Sequence, residues 1–243
     1  MFSKNTLFFS NEFIDAFIHL TNVNKDSKIL EIRTAKKLVT IPLFYKGLNT
    51  LSVDLYPDKN SKNSIFHNLT IEKANFPANT FDLVYSTNAL HELNYSYFEK
   101  TYQILKPTGC LAIVEIKPII DNDNEFLKEF DQKIISKYFK NVYKPIDEMD
   151  FSKPTFKSIL FKHLSTSIYY KSKSYNAKEY MEDIMKGFPE IENLPTSIHN
   201  EMHIELDTLI KNEFASGKLK RRYAIILYLL QKKEIQLKLN IDI

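Results

Sequence analysis

The chain has 243 residues, of which 44% are hydrophobic and 26% charged, and its net charge of +3 is too small to argue for nucleic-acid binding. Its 4 glycines leave few for a phosphate-binding loop, and its 1 cysteine excludes an intramolecular disulfide and a cysteine-based zinc cluster. The N-terminus lacks a signal-peptide pattern and no run reaches the roughly 20 apolar residues of a membrane span, so we expect a cytoplasmic protein without a membrane span.

Helices and short apolar strands alternate in the first half of the chain. Ser10 precedes a predicted helix over 11–20 that carries apolar residues on one side. Strands are predicted over 28–32, 50–55, 69–73, 81–86 and 110–115, and helices over 38–45 and 97–105. Such alternation predicts an α/β fold with a parallel sheet and helices on both faces.

The second half is less regular. The pattern predicts a helix over 125–138, a strand over 165–171, helices over 177–185 and 195–214, and a final strand over 222–230. No internal repeat occurs, and no linker rich in glycine or serine divides the chain, so we expect a single domain.

Polar residues stand where the predicted strands of the first half end. In an open α/β sheet, ligands bind beyond the carboxyl ends of the strands. Such folds place the acid that binds ribose hydroxyls roughly 20 residues beyond the first motif. Asp54 follows Glu31 at a similar distance along the chain. A single acid of this kind could equally face solvent or cap a helix.

Five stretches together resemble the class I S-adenosylmethionine-dependent methyltransferases, in their small-molecule branch (UbiE-like, or type 11). They are ILEI at 29–32, SVDL at 52–55, ANFPANTFDLV at 74–84, NALHEL at 88–93 and YQILKPTG at 102–109. The resemblance implies a Rossmann-like fold with a central, mostly parallel seven-stranded sheet and an antiparallel last strand. It also implies one domain over 1–243, with a helical cap at 1–25, a cofactor-binding half at 26–118, and substrate, lid and C-terminal strand elements at 119–243.

The resemblance assigns S-adenosylmethionine as the cofactor and gives roles to individual residues, with no metal ligands among them. Asp54 would hold the ribose hydroxyls, and Asn75 with Phe76 would meet the adenine. Ser86 and Thr87 would lie near the methionine moiety. The first motif would contribute Glu31, Arg33 and Thr34 to cofactor binding. His91 would lie near the substrate as the first candidate for a general base, with Glu115 as the second, although His91 could instead cap a helix or pack.

The first motif departs from the family pattern. The sequence reads LEIRTAKK over 30–37, so Arg33, Ala35 and Lys37 stand where the family has glycines. A non-glycine residue forced into the left-handed region costs roughly 1–2 kcal/mol. Three interpretations stay open: a working enzyme in which Arg33 or Lys36 grips the cofactor carboxylate, a protein that has lost the cofactor, or a pocket for another anion. We favour the enzyme.

The partners differ between these interpretations. An active enzyme would act on a small molecule, whose identity no motif of this branch specifies. A chain without cofactor would serve as a scaffold or regulatory subunit, bound to a protein partner or to a second copy of itself.

Overall fold

The computed structural model describes residues 9–34, 39–53, 66–67, 74–88, 95–119, 160–187 and 194–234. The helices are α1 (Asn11–Thr21), α2 (Thr40–Tyr45), α3 (Tyr95–Ile104), α4 (Ala177–Gly187) and α5 (Thr196–Glu213). The strands are β1 (Ile29–Thr34), β2 (Thr50–Val53), β3 (Phe66–His67), β4 (Phe81–Thr87), β5 (Leu105–Ile119), β6 (Phe161–Tyr175) and β7 (Leu219–Lys232).

The strands form one seven-stranded sheet in the order β3-β2-β1-β4-β5-β7-β6. Strand β1 runs parallel to β2 and β4, and the pairs β2–β3 and β4–β5 are also parallel. The end of β7 lies at the starts of its neighbours: Lys232 Nζ donates to the carbonyl oxygen of Leu105 at 2.6 Å, and Lys233 N donates to that of Leu160 at 2.9 Å. Strand β7 is therefore antiparallel to β5 and β6, and the predicted fold class is confirmed.

The chain divides into two compact units. The core unit comprises 1–116, 151–169 and 225–243, and the second unit comprises 117–150 and 170–224. The boundary falls within the sequences of β6 and β7. The predicted division of a single domain at 25 and 118 stays a prediction.

The core unit is built on helix α1 and the apolar strands beneath it. Ser10 begins the helix as predicted, because its hydroxyl accepts from Phe13 N at 3.2 Å, and Asn22 ends it in the left-handed conformation. The Phe17 ring, fully buried, meets the ring of Tyr85 on β4 edge-on at 5.6 Å. This contact fixes the helix against the strand that leads to the predicted site.

In the second unit, helices α4 and α5 pack together and tyrosines fill the interior. Tyr175 and Tyr223 are buried with their hydroxyls 2.7 Å apart. The Arg221 guanidinium donates to the hydroxyl of Tyr180, whose ring meets that of Tyr175 at 5.5 Å. The aromatic rings pack against one another, and each of the three hydroxyls has a hydrogen-bond partner within the second unit.

Several strands differ in extent from the prediction. Strand β5 begins at Leu105, which pairs with Phe81, so residues 106–109, between the predicted helix and the predicted strand, belong to β5 and contain a shift in register. Strand β6 extends over fifteen residues rather than seven. The predicted third strand at 69–73 and the predicted helix at 125–138 lie outside the described residues, while the described β3 is Phe66–His67.

Candidate functional site

The carboxyl ends of β1, β2 and β4 lie side by side. Glu31 of β1 is in register with Ser52 of β2 and with Tyr85 of β4. Asp54 follows directly on Val53, the last residue of β2, but its side chain lies outside the described residues. The sheet therefore brings together the strand ends that the sequence assigned to the cofactor.

Glu31 is fully buried, and its carboxylate is bound within the protein. Its Oε2 atom accepts from the hydroxyl of Thr40, the first residue of α2, and from Ser52 Oγ at 3.2 Å. The Tyr85 hydroxyl lies 2.9 Å from Thr40 Oγ1. This Glu31 network, formed by Glu31, Thr40, Ser52 and Tyr85, ties α2 to three neighbouring strands.

The network also affects the ionisation of Tyr85. Burial, together with the nearby Glu31 carboxylate, holds the pKa of this tyrosine well above its usual value of 10.0. The phenol therefore stays neutral and keeps its hydrogen-bonding proton throughout the physiological range. Sequence reasoning missed Tyr85, Thr40 and Ser52, although the strand register would place Ser52 and Tyr85 beside Glu31.

Strand β1 continues through the position of the family's first glycine. Arg33 and Thr34 belong to the strand, and Thr34 pairs with Thr87 of β4 after a shift in register that follows Glu31. The non-glycine residues with positive φ in the described ranges are Asn22, Asn79 and Asn88. Arg33 thus belongs to the strand, whereas Ala35 and Lys37 lie outside the described residues.

The predicted adenine-binding residues lie just before β4. Asn75 is exposed, so its amide is accessible to a ligand. Phe76 is half-buried, and its ring meets that of Phe81 edge-on at 5.2 Å. The contact holds the Phe76 ring in place while leaving part of its surface accessible.

Ser86 and Thr87, predicted to lie near the methionine moiety, are both fully buried. Ser86 lies beside Tyr97 of α3, where burial raises the pKa of the tyrosine far above its usual value of 10.0. Asn88 then turns the chain in the left-handed conformation, with its N–H donating to the Val114 carbonyl oxygen at 2.7 Å and its Oδ1 accepting from Ile116 N at 3.3 Å. His91, which follows this turn, lies outside the described residues.

Glu115, the second predicted base, is a fully buried residue of β5. Ser86 is in register with Ile113, so Glu115, two residues further on, shares the Ser86 face of the sheet, opposite to the face of Glu31 and Tyr85. On neighbouring β7, burial and the Glu115 carboxylate raise the pKa of Tyr228 to about 12. The sheet thus carries one buried carboxylate beside a tyrosine on each face.

Two further features were sought in the described part of the chain. None of its histidine, cysteine, aspartate and glutamate side chains form a group of three or more that could hold a metal ion. None of its helices is both long and apolar enough to cross a membrane.

Known proteins with similar sequence are methyltransferases. Residues 34–113 match a family described as a methyltransferase domain. An uncharacterized methyltransferase of Schizosaccharomyces pombe is 28% identical over 131 residues, which is 54% of this chain. The match spans about half of that relative, 49% of its length.

Solved structures share the fold over nearly the whole chain. The MccD protein is 16% identical with a TM-score of 0.55, over 92% of this chain and 98% of its own. A protein of Anaeromyxobacter dehalogenans, assigned as a type II methyltransferase, is 10% identical with a TM-score of 0.59, over 89% of this chain and 94% of its own. Residues 34–113 are therefore similar to a methyltransferase domain, and the chain shares the fold of these solved structures.

Proposed function

We propose that this protein is an S-adenosylmethionine-dependent methyltransferase that acts on a small molecule. One observation carries the proposal. The segment that matches the methyltransferase domain, 34–113, begins at the end of β1 and contains β2 and β4, and the carboxyl ends of these three strands lie side by side. Ligands of open α/β sheets bind at such an edge.

We assign the adenine to Asn75 and Phe76, which precede β4, and the first motif to the end of β1. Asn75 is accessible to hydrogen-bond an adenine, and the half-exposed Phe76 ring offers it an apolar surface. Arg33 and Thr34 continue β1, so the strand extends through the position of the family's first glycine. We assign the ribose hydroxyls to Asp54, directly after β2, because a carboxylate accepts two such hydrogen bonds.

The chain's own residues would orient the substrate and accept its proton. When bound, the cofactor supplies an electrophilic methyl group on a sulfonium centre. Positioning of the substrate nucleophile is then the main contribution of the protein, and a general base is required only for a poor nucleophile. We assign that base to His91. Glu115 is the second candidate, and it ranks below His91 because its side chain is fully buried beside Tyr228.

A second function is supported by the Glu31 network. The carboxylate of the first motif is already bound by Thr40 and Ser52, which would stabilise the strand end without any cofactor. The alternative is a protein that has lost the cofactor and serves as a scaffold or regulatory subunit. The single cysteine favours a reducing compartment, so we propose a cytoplasmic location for either function.

Calorimetric titration with S-adenosylmethionine and S-adenosylhomocysteine distinguishes the two functions. We expect saturable binding by the wild type and its loss in Asp54→Ala. Asp26→Ala is the matched control, since Asp26 is an exposed residue of the loop before β1. Circular dichroism and thermal melting would establish that both variants fold.

Each outcome favours one function. Binding that is lost in Asp54→Ala and kept in Asp26→Ala supports the enzyme. A wild-type protein that binds neither ligand at millimolar concentration contradicts the enzyme and supports the scaffold. Equal binding by both variants would show that Asp54 does not hold the ribose.

A further inference from the structure

Among the strands that the structure describes, β6 forms the one long edge of the seven-stranded sheet. In the order of the described strands, β6 is the last and has β7 as its one neighbour. At the opposite edge, β3 comprises two residues, Phe66–His67, whereas β6 comprises fifteen. A long edge strand presents a row of backbone N–H and C=O groups to which another strand can pair.

The middle of β6 lacks the usual protection of such an edge. Lysines, prolines and bulges commonly prevent edge strands from pairing. Here Lys162 and Lys171 flank the segment 163–170, HLSTSIYY, which contains no lysine, acid or proline. The segment is rich in residues that favour strands and carries no fixed charge.

Side chains alternate cleanly over 164–169. Leu164, Thr166 and Ile168 are exposed, with 42% exposure for Leu164 and 51% for Ile168, while the intervening side chains are half-buried. On the half-buried face, the Tyr169 ring meets that of Phe13 on α1 edge-on at 5.2 Å. The contact with α1 holds β6 in place, so its exposed apolar side chains are presented by a supported strand.

We propose that β6 pairs with β6 of a second copy of this chain, antiparallel and centred on Thr166. In this register Leu164 lies opposite Ile168 of the other copy, Thr166 lies opposite itself, and no lysine faces a lysine. Apolar and Thr–Thr cross-strand pairs stabilise antiparallel strands. The segment is thus complementary to itself.

The geometry also limits the assembly to two copies. A two-fold axis through Thr166 uses the open edge of both chains at once, and the two-residue β3 offers little for a further strand to pair with. The expected product is a closed dimer rather than a fibre. The proposal does not depend on the methyltransferase activity.

Analytical ultracentrifugation over a range of concentrations tests the dimer with a matched pair of variants. Ile168→Lys places a charge at the centre of the pairing, and Ile204→Lys makes the same change at a residue of α5 that is 65% exposed. We expect Ile168→Lys to raise the dimer dissociation constant about tenfold, because it removes the apolar Ile168–Leu164 cross-strand pair on each side of the axis, and Ile204→Lys to leave it unchanged.

Cysteine cross-linking tests the register. Thr166 is exposed, with Oγ1 2.9 Å from His163 Nε2, and Thr166→Cys should form an intermolecular disulfide when treated with diamide. Ser172→Cys is the control, since Ser172 is an exposed residue of the same strand that would lie far from its copy. Wild type controls for the half-buried Cys110.

These measurements can overturn the proposal. A wild type that sediments as a monomer at all concentrations refutes the dimer, as does an Ile168→Lys variant that folds normally and associates as strongly as Ile204→Lys. Equal cross-linking of Thr166→Cys and Ser172→Cys refutes the register. Circular dichroism and thermal melting of every variant separate these outcomes from a failure to fold.

Discussion

Replacing Glu31 by alanine should strongly destabilise the core unit. The substitution removes the acceptor of the Thr40 hydroxyl and of Ser52 Oγ, and it leaves a space where a fully buried carboxylate lay. The Thr40 hydroxyl also lies beside Tyr85 OH, so the loss reaches a third strand.

The magnitude follows from the contacts of the carboxylate. A hydrogen bond to a charged group contributes about 1.5–3 kcal/mol, and the longer one from Ser52, at 3.2 Å, belongs at the lower end of that range. Relief of the desolvation cost of the buried charge offsets part of the loss. We therefore expect Glu31→Ala to lower the free energy of unfolding by about 3 kcal/mol, which corresponds to a fall in Tm of about 6–12 °C for a chain of this size.

Urea unfolding followed by circular dichroism measures this loss. Glu31→Gln keeps an acceptor oxygen at the same place and should lose only about 1 kcal/mol. Glu99→Ala, at an exposed residue of α3, is the surface control and should change stability by less than about 0.5 kcal/mol. A Glu31→Ala variant no less stable than Glu31→Gln would refute the network as an anchor of α2.

Three further predictions concern ionisation and packing. Above pH 10 the unfolded chain loses phenol protons that buried Tyr85 and Tyr228 retain, so stability falls with rising pH. Tyr228→Phe should flatten that fall between pH 10 and about pH 12, and Tyr85→Phe should flatten it from pH 10 upward, as urea titrations would show. A Cβ on Gly109 would lie 3.0 Å from the Lys106 carbonyl oxygen, so Gly109→Ala should cost about 1–3 kcal/mol, and an unchanged Tm would contradict this. Partial burial acts to raise the pKa of Asp82, but the hydrogen bond from Lys106, at 2.6 Å, and a backbone N–H outweigh it, so the pKa lies below 3.8. The ionised carboxylate therefore stabilises the folded protein above pH 3.8, and this contribution is lost as the pH falls through the lowered pKa. Asp82→Asn should make the loss of stability in acid smaller, as urea titrations would show.

The sequence predicted the buried strands well because their signal is local. A strand covered on both faces is a continuous apolar run, as in residues 111–114 of β5, which read LAIV. The same local signal placed the start of β5 at Cys110, since Pro107 and Gly109 are typical of a turn; Leu105 pairs with Phe81 before a shift in register over these residues, so the strand begins earlier.

The candidate site was predicted less completely, for a physical reason. The motif identified Glu31 and assigned it to the cofactor, but its bond to Thr40 joins a strand to the next helix and leaves no mark in a local pattern. The continuation of β1 through Arg33 likewise depends on pairing with β4. The roles of Asp54 and His91 stay predictions, since both residues lie outside the described ranges.

The strand order has a consequence for synthesis on the ribosome. Strand β6 ends at Tyr175, but β7, its described neighbour in the sheet, begins only at Leu219. At about 5–20 residues per second, β6 emerges seconds before the strand that joins it to β5, and both of its edges are open during that interval. Nascent chains are therefore exposed to premature pairing at β6, so a chaperone that binds before β7 emerges would protect folding, whereas slow codons between these two strands would prolong the exposure.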